Sequence, residues 1–424
     1  METNNAQIIK MNNGISVFLI NRNGYKQKTV VGAIPWGAAD TNLMSDKVLY
    51  KLPYGTAHFL EHTIFYKKTG YTGDDFINLG AYANAFTEFH KTLYFASTYK
   101  DLSEITDLVL KTMLEPPALD NEDIEKERAI ISEEIRKDDG EIFSVCTENL
   151  LKGMYGETSI ATPIIGTLNS ISKINKEMLI TCFNAFYKPQ NLNLMIFADL
   201  KREPKIEIIL RKICEFYPRN SLVSCEVEKE KQNSKSVFQN KVIHRYSKGK
   251  VVRAAVGFKD PVSFSGTREF LKRNIAVIVL SDILCSSSSF FYNDLYCNSI
   301  LASHFYKIKS FYGDDYGYFY FICELDRYKE IDKSLVGLRK CNISENDFEL
   351  ARRKITGRYL MGIDSSYFFS IAFTDMIFKG IDYSEFISVI NELSLKDLKE
   401  AQRDIFDISQ ITISLDIPQE IDLT

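Results

Sequence analysis

The chain has 424 residues, of which 45% are hydrophobic and 25% are charged, and its formal net charge is −4. This length exceeds that of one ordinary core, so we expect a globular protein of two or three domains. The balance of 52 basic against 56 acidic residues argues against binding to nucleic acid or to an anionic membrane.

The cysteines and the apolar runs give an expectation for the cellular compartment of the protein. Eight cysteines are scattered without a Cys-x-x-Cys pair, which is typical of reduced thiols in the cytoplasm. The first residues show no signal peptide, and the most apolar run, Ile275–Leu280, is far shorter than a membrane span. We therefore expect a cytoplasmic protein without a membrane span.

The first 36 residues have the pattern of a small sheet. Apolar alternation predicts strands at Ile8–Lys10 and Ile15–Ile20, joined at the turn signal Asn13-Gly14. A third apolar strand is predicted at Thr29–Trp36.

A short helix follows the break at residues 53–55, with Thr56 as its predicted cap. It carries His58-Phe-Leu-Glu61-His62, which holds two of the five histidines of the chain. Residues four apart share a helix face, so both imidazoles can converge on one point and Glu61 can lean over it. Two imidazoles suit Zn²⁺, and the order His-x-x-Glu-His is the inverted form of a zinc-protease helix. The simpler interpretation is a polar helix face; a metal site predicts a third ligand elsewhere.

The next elements are a hairpin and a helix. Gly80–Thr87 and Thr92–Ser97 are predicted as paired strands. Asp101–Leu114 has the apolar spacing of an amphipathic helix, which Pro116-Pro117 ends.

A second, highly charged helix is predicted over Asp120–Asp138, and it offers carboxylates for the third ligand. Glu127 and Glu134 are two turns apart and project in the same direction, whereas Glu133 points about 100° away. A carboxylate on that face would complete a His₂Glu site if the face meets the histidine helix. The simpler interpretation of the charges is a solvated surface.

A helix at Lys176–Phe186 and a strand at Leu192–Phe197 complete the first half. Residues 221–241 are polar, charged and poor in core residues, which favours a linker over a long surface loop. We therefore predict a metal-bearing domain at 1–220 and a second domain at 242–424.

The second half repeats the plan of the first, which suggests a duplicated α+β unit in which only the first copy carries the metal motif. The predicted elements are a strand at Val251–Phe258, a helix at Phe270–Cys285, paired strands near His304–Ser310 and Tyr316–Glu324, helices near Glu345–Gly362 and Tyr367–Phe378, and a strand at Ile411–Leu415.

With these motifs in place, the chain resembles the pitrilysin (insulinase) family of zinc metallopeptidases, in particular its small bacterial, processing-peptidase-like members. The resemblance covers essentially the whole chain. It rests on Gly55-x-Ala-His-Phe-Leu-Glu-His62, Gly80-Ala-x-Ala-Asn-Ala-x-Thr87, Glu127-Arg-Ala-Ile-Ile-Ser-Glu-Glu134, Gly166-Thr167 and Tyr187-x-Pro189-x-Asn191-Leu.

The resemblance implies a fold of α+β class. It consists of two homologous α/β-sandwich halves of the mitochondrial-processing-peptidase type, each a mainly antiparallel sheet with helices on one face. The resemblance also implies residue roles. One Zn²⁺ would be held by His58, His62 and Glu134, Glu61 would be the general base, and Glu127 would be a carboxylate beside the site. The edge strand that binds substrate would be formed by Asn84, Ala85 and Phe86. Without the neighbouring motif, the last three residues would be an ordinary core hairpin.

One segment departs from the family pattern. Active single-chain relatives carry an Arg and, seven residues later, a Tyr in the second half, and these positions fall here on Tyr296 and Ser303. Tyr296 carries no cation at the Arg position, and Ser303 cannot reach as far as a phenol at the Tyr position, so the resemblance implies that a homologous subunit supplies the pair in a heterodimer. A homodimer is the alternative.

We therefore expect a zinc-dependent endopeptidase for peptides or small unfolded proteins. Some relatives occur with ribosomally made antibiotic peptides, which suggests maturation of such a peptide. The alternatives are a catalytically silent peptide-binding or assembly subunit of the same fold, and a metal hydrolase for other substrates.

Overall fold

The computed structural model describes residues 7–45, 48–140, 142–203, 205–216, 225–227, 241–247, 250–260, 264, 266–305, 307–313, 315–407 and 411–419. Their contacts group the chain into two compact units. The first unit consists of Met1–Arg136, Pro163–Glu230 and Ser365–Thr374. The second unit consists of Lys137–Thr162, Lys231–Asp364 and Asp375–Thr424.

The described strands share apolar, β-branched and aromatic sequences. They are β1 (Gln7–Lys10), β2 (Ser16–Asn21), β3 (Lys28–Ile34), β4 (Asn42–Ser45), β5 (Val48–Lys51), β6 (Tyr66–Lys67), β7 (Gly70–Tyr71), β8 (Tyr82–Thr87), β9 (Thr92–Thr98), β10 (Asn193–Ala198), β11 (Cys225–Val227), β12 (Lys241–Ser247), β13 (Val252–Lys259), β14 (Lys307–Tyr312), β15 (Gly317–Leu325) and β16 (Ile411–Pro418).

The described helices occupy most of the sequence between these strands. They are α1 (Thr56–Thr63), α2 (Thr72–Asn78), α3 (Leu102–Leu114), α4 (Asn121–Gly140), α5 (Ile142–Tyr155), α6 (Leu168–Ile171), α7 (Lys176–Phe186), α8 (Ile206–Phe216), α9 (Thr267–Cys285), α10 (Phe290–Cys297), α11 (Ile331–Ser334), α12 (Val336–Lys340), α13 (Glu345–Asp364), α14 (Ser366–Phe378), α15 (Glu385–Glu392) and α16 (Leu395–Ile405). Short 3₁₀ turns lie at Ser159–Ala161, Pro189–Asn191, Leu200–Arg202 and Tyr328–Glu330.

The first unit is built on a six-stranded sheet with the order β1-β2-β10-β3-β9-β8. Only β2 and β10 run parallel to each other, and the other neighbours are antiparallel. Strand β8 lies at one edge, where Tyr82 pairs with Ser97 and Thr87 with Thr92. The edge therefore has one side that is not paired within the described sheet.

The second unit repeats this topology in a five-stranded sheet with the order β12-β16-β13-β15-β14. Strands β12 and β16 are parallel, as β2 and β10 are, and the remaining pairs are antiparallel. Each strand of the second sheet thus has a counterpart in the first, and β14 takes the edge position that β8 holds. The predicted α+β fold of two homologous halves is confirmed.

Helices from the same half of the sequence cover one face of each sheet, and a helix from elsewhere covers part of the other face. In the first unit, Phe369 and Phe373 of α14 pack edge-on against Phe197 and Phe18 at 5.4 and 5.6 Å between ring centroids. In the second unit, the Tyr155 hydroxyl of α5 donates to the Gly317 carbonyl at 2.9 Å. Because both faces are covered, central strands such as β9 are buried at every residue.

The predicted domain halves stay a prediction. Most of the predicted linker, residues 221–241, lies outside the described residues. Within it, Cys225–Val227 forms a strand that pairs with β4.

One helical stretch, Thr267–Cys297, is long and apolar enough to cross a membrane by length and composition, and 50% of its apolar window is buried. Leu271, Ile275 and Val279 of its first helix belong to the apolar core of the second unit. Core helices of globular proteins share this composition, so the stretch is explained by packing.

Candidate metal centre

The helix that carries the two histidines begins where backbone segments approach closely. Its N-cap residue is Gly55, with φ of 86°, and Thr56 is the first helical residue, so the predicted Thr56 cap is wrong. The Thr56 hydroxyl instead donates to the Pro53 carbonyl at 2.6 Å. A Cβ on Gly55 would lie 2.6 Å from the Ile165 carbonyl oxygen, and one on Gly166 would lie 3.0 Å from the Gly55 Cα. Both glycines are required there, because only Gly tolerates left-handed φ and such contact.

Helix α4 is fixed against α1 by Arg128, the residue after Glu127. Its guanidinium lies over the Phe59 ring at 5.4 Å and donates from Nη2 to the Ile174 carbonyl at 2.8 Å. Phe59 is fully buried in α1. The cation–π contact joins α4 to α1 and so brings the carboxylates of α4 to the histidines.

Three side chains then converge on one point, and they are His58, His62 and Glu134. The Glu134 Oε2 atom lies 3.8 Å from His58 Nε2 and 3.6 Å from His62 Nε2. Among the described residues, this is the group of three His, Cys, Asp or Glu side chains whose ligand atoms lie within 4.8 Å of one another. The structure thus brings Glu134, and not Glu127, to the Nε2 atoms.

These separations fit a zinc ion. Ligand atoms about 2.0–2.2 Å from a tetrahedral ion are about 3.3–3.6 Å apart, close to the carboxylate–imidazole distances here. Two imidazoles and one carboxylate form a donor set found in catalytic zinc sites, which keep a fourth position for water or substrate. The Glu134 side chain is 43% exposed, against 13% for His58, so the group is open to solvent on the α4 side.

Glu127 lies on the other side of the His62 ring. Its Oε2 lies 3.1 Å from His62 Nδ1, and its Oε1 accepts a hydrogen bond from the Tyr66 hydroxyl at 2.7 Å. Burial opposes ionisation, but the hydrogen bonds from His62 and Tyr66 prevail and hold the pKa of Glu127 below its usual value. An ionised Glu127 fixes the His62 tautomer with its proton on Nδ1, which leaves Nε2 free to bind a metal.

Glu61 is buried beside the two histidines. Its Oε2 accepts a hydrogen bond from the Thr87 hydroxyl at 2.5 Å, and the side chains of both residues are nearly inaccessible. Burial raises the pKa of Glu61 to about 7, against the hydrogen bond from Thr87, which lowers it. A carboxylate with a pKa near neutrality can both accept and return a proton.

The protonation of the histidines differs. Burial and then the charge of His62 lower the pKa of His58 to about 3, so His58 is neutral at physiological pH, as a metal ligand must be. Burial also lowers the pKa of His62, but the hydrogen bond to Glu127 and the charges of Glu134 and Glu61 outweigh it and raise that pKa. A proton therefore competes with a metal more strongly at His62 than at His58.

The predicted substrate residues lie on the edge strand β8, whose last residue is Thr87. Asn84 is exposed, and its side-chain oxygen accepts a hydrogen bond from the Ala85 N–H at 2.9 Å, so this donor is not paired with β9. The Phe86 ring packs edge-on against Tyr367 at 5.8 Å. The same strand thus presents an open edge and holds Glu61.

Two contacts in the site were not predicted from the sequence. Thr87 is the last residue of the motif Gly80–Thr87, but the motif does not indicate its hydrogen bond to Glu61. That bond depends on the pairing of β8 with β9. Tyr66 has no motif signal, because it reaches Glu127 across two elements far apart in the sequence.

Comparison with known proteins agrees with this geometry. Residues 51–168 match the family described as insulinase (peptidase family M16), and residues 173–355 match the family described as peptidase M16 inactive domain. The chain belongs to the insulinase (M16) family. The first match contains the whole candidate metal centre, and the second contains none of it.

Individual relatives agree with the family. The uncharacterized zinc protease YmfH of Bacillus subtilis is 26% identical over 97% of this chain and 96% of its own length. The mitochondrial-processing peptidase subunit beta of Bos taurus is 28% identical over 36% of this chain and 32% of its own length. An M16-like protein of Alicyclobacillus acidocaldarius, 23% identical, shares the fold with a TM-score of 0.87 over 98% of both chains. The predicted resemblance is confirmed.

Proposed function

We propose that this chain is a zinc-dependent endopeptidase that hydrolyses peptides or small unfolded proteins. The observation that carries the proposal is the convergence of His58, His62 and Glu134 beside the buried carboxylate of Glu61. Three protein ligands leave a position for reaction, which distinguishes a catalytic zinc site from a structural one. The names of relatives, zinc protease and processing peptidase, support the same class.

Each residue of the site would have a separate role in the reaction. His58, His62 and Glu134 would hold zinc, which as a Lewis acid polarises a peptide carbonyl and lowers the pKa of water to about 7. Thr87 holds Oε2 of Glu61, so Oε1 is the oxygen placed to take the proton of the attacking water. Glu61 then returns that proton to the leaving amine. Glu127 keeps the His62 ring oriented throughout.

The edge strand β8 would bind the substrate. An extended peptide can add to an open sheet edge through backbone hydrogen bonds, which require little sequence preference. The peptide carbonyl would replace the Asn84 side chain on the Ala85 N–H. Because β8 ends at Thr87, a peptide on this edge runs towards Glu61. Precursors of ribosomally made antibiotic peptides are among the substrates that we suggest.

Zinc loading tests the metal part of the proposal. We expect about one zinc per purified wild-type chain and a large loss in His58→Ala. His90→Ala is the matched control, because His90 pairs with Asp40 at 3.0 Å and is not one of the converging ligands. Equal zinc in His58→Ala and in the control would contradict the proposed site.

A partner subunit is the second part of the proposal. Tyr296 is exposed on α10 and carries no cation, and the Ser303 hydroxyl, which donates to Glu324 at 3.2 Å, cannot reach as far as a phenol would. A lost oxyanion donor costs about 10²–10³ in rate. We infer that a homologous subunit without the zinc motif supplies an Arg and a Tyr in a heterodimer, as the subunit name of the mitochondrial relative suggests. If a candidate partner mixed with this chain gives no gain in peptide hydrolysis, that pairing is refuted; a homodimer is the alternative assembly.

A catalytically silent binding subunit is the second candidate function, and the match of residues 173–355 to an inactive domain favours it. Zinc binding without cleavage, alone or with a partner, would support it.

We also propose a cytoplasmic location, which the free thiols of Cys146, Cys182, Cys285 and Cys323 support.

A further inference from the structure

The second unit contains a cavity of about 930 Å³ that the proposed reaction does not use. Most of its lining comes from the edge strand β14, helix α9 and helix α13. Ile308, Lys309 and Ser310 of β14 line one side, and Tyr292 and Phe305 add apolar surface. Its volume lies within the range of about 300–1,000 Å³ that is typical of ligand sites.

The topology makes this cavity the counterpart of the metal centre. Strand β14 holds the edge position of the second sheet, as β8 does in the first. Helix α9 is the first helix after the central strand β13, as α1 is after β3, and α13 is a long helix after the edge hairpin, as α4 is. The duplicated unit therefore keeps a cleft where the first unit gathers its ligands.

Charged side chains stand in this cleft where the first unit has its metal ligands. Asp282 of α9 is largely buried, and its Oδ1 lies 2.7 Å from Lys354 Nζ and 3.2 Å from Arg358 Nη1 of α13. Lys354 and Arg358 are 44% and 61% exposed, so much of their donor capacity faces solvent. With Lys309, the described lining carries three cations against the one carboxylate.

We propose that this cleft binds an extended acidic peptide segment, which pairs its backbone with the open edge of β14 and its carboxylates with Lys309, Lys354 and Arg358. Charge complementarity identifies the ligand, because the described lining has a surplus of two positive charges and guanidinium and ammonium groups bind carboxylates well. The edge explains the extended form, because a strand with one unpaired side accepts another strand. This site requires no hydrolysis and is independent of the zinc chemistry.

Binding to the full-length, zinc-loaded Glu61→Gln protein tests the proposal without cleavage. The probe is a fluorescein-labelled heptapeptide of alternating valine and glutamate, with a glutamine version and a version methylated on alternate backbone amides. We expect the glutamate peptide to bind at least tenfold more tightly than the glutamine peptide. The methylated peptide should not bind, because it cannot complete a strand.

Paired substitutions locate the site. Lys354→Met with Arg358→Met should raise the Kd of the glutamate peptide at least tenfold. Lys396→Met with Arg403→Met removes the same charge from exposed positions on α16 of the same unit and should change the Kd less than twofold. Equal losses in both pairs, or no loss in the first, would overturn the proposal.

Cross-linking supplies a test that needs no substitution in the cleft. A glutamate peptide with a central benzophenone should label residues within 274–358 of the Glu61→Gln protein. Labelling confined to 82–87 would show that the peptide occupies only the β8 edge, and absence of binding would refute the site. Either result would leave the zinc peptidase proposal intact.

Discussion

Replacing Thr87 by Val removes the hydroxyl that holds Glu61 while keeping the shape of the side chain. The Oγ1–Oε2 distance is 2.5 Å and both side chains are nearly inaccessible, so water cannot readily take the place of the hydroxyl. A hydrogen bond to a charged group contributes about 1.5–3 kcal/mol. If that stabilisation serves the transition state, kcat falls about 10- to 150-fold. Because Thr87 touches none of the three proposed zinc ligands in the described contacts, zinc content should not change.

The assay is steady-state hydrolysis of a quenched fluorescent peptide, under the conditions in which the wild type turns over. We expect the loss in kcat with KM within about twofold, since the hydroxyl bonds to Glu61 and not to the edge where the peptide would bind. Thr87→Ser keeps the hydroxyl and should recover most of the rate. An unchanged kcat in Thr87→Val, or a rate lost only in proportion to lost zinc, would refute the role of Thr87 in positioning Glu61.

Three further predictions test the site and its support. Glu127→Gln removes the negative charge beside His62 and should lower zinc affinity or activity about 10- to 100-fold. Competition with a chelator measures the change in affinity. Gly166→Ala places a Cβ at a left-handed residue 2.6 Å from a backbone carbonyl, and should lower the free energy of unfolding by about 2–3 kcal/mol. Gly156 is also left-handed, but a Cβ there would meet open space, so Gly156→Ala should lower the free energy of unfolding by only about 1–2 kcal/mol. Thermal unfolding of both variants measures the difference. Burial lowers the pKa of Lys67 to about 7, so the unfolded chain binds more protons between pH 7 and about 10 and stability should rise with pH there. Lys67→Met should remove that rise, and an unchanged pH dependence would contradict it.

Periodic sequences predicted the elements that surround the site. The predicted helix Lys176–Phe186 matches α7, and the predicted hairpin matches β8 and β9. The reason is that apolar spacing and Gly or Pro breaks act locally, within each element. The wrong Thr56 cap has a local cause too, since Gly55 takes the N-cap position with a positive φ.

Some elements that depend on distant parts of the sequence were not predicted. Helix α5 was not predicted. Its residues Leu150 and Met154 pack against Gly257, and the local sequence pattern does not indicate this distant contact. The hairpin of β4 and β5 and the helix α8 were missed as well. Helix geometry alone left the choice between Glu127 and Glu134 open, because both project from one face of α4, and the family resemblance implied Glu134. Only the placement of α1 along that helix puts Glu134 near the Nε2 atoms and Glu127 near Nδ1 of His62.

The most direct test of the account measures zinc content and peptide cleavage together, in the wild type and in Glu61→Gln. Gln keeps the shape of Glu61 but cannot take a proton, and Glu61 is not one of the converging ligands. We expect one zinc in both proteins and cleavage only by the wild type, with its partner subunit if that is required. One zinc in both proteins with equal cleavage would contradict the role of Glu61, and absence of zinc from both would contradict the metal centre itself.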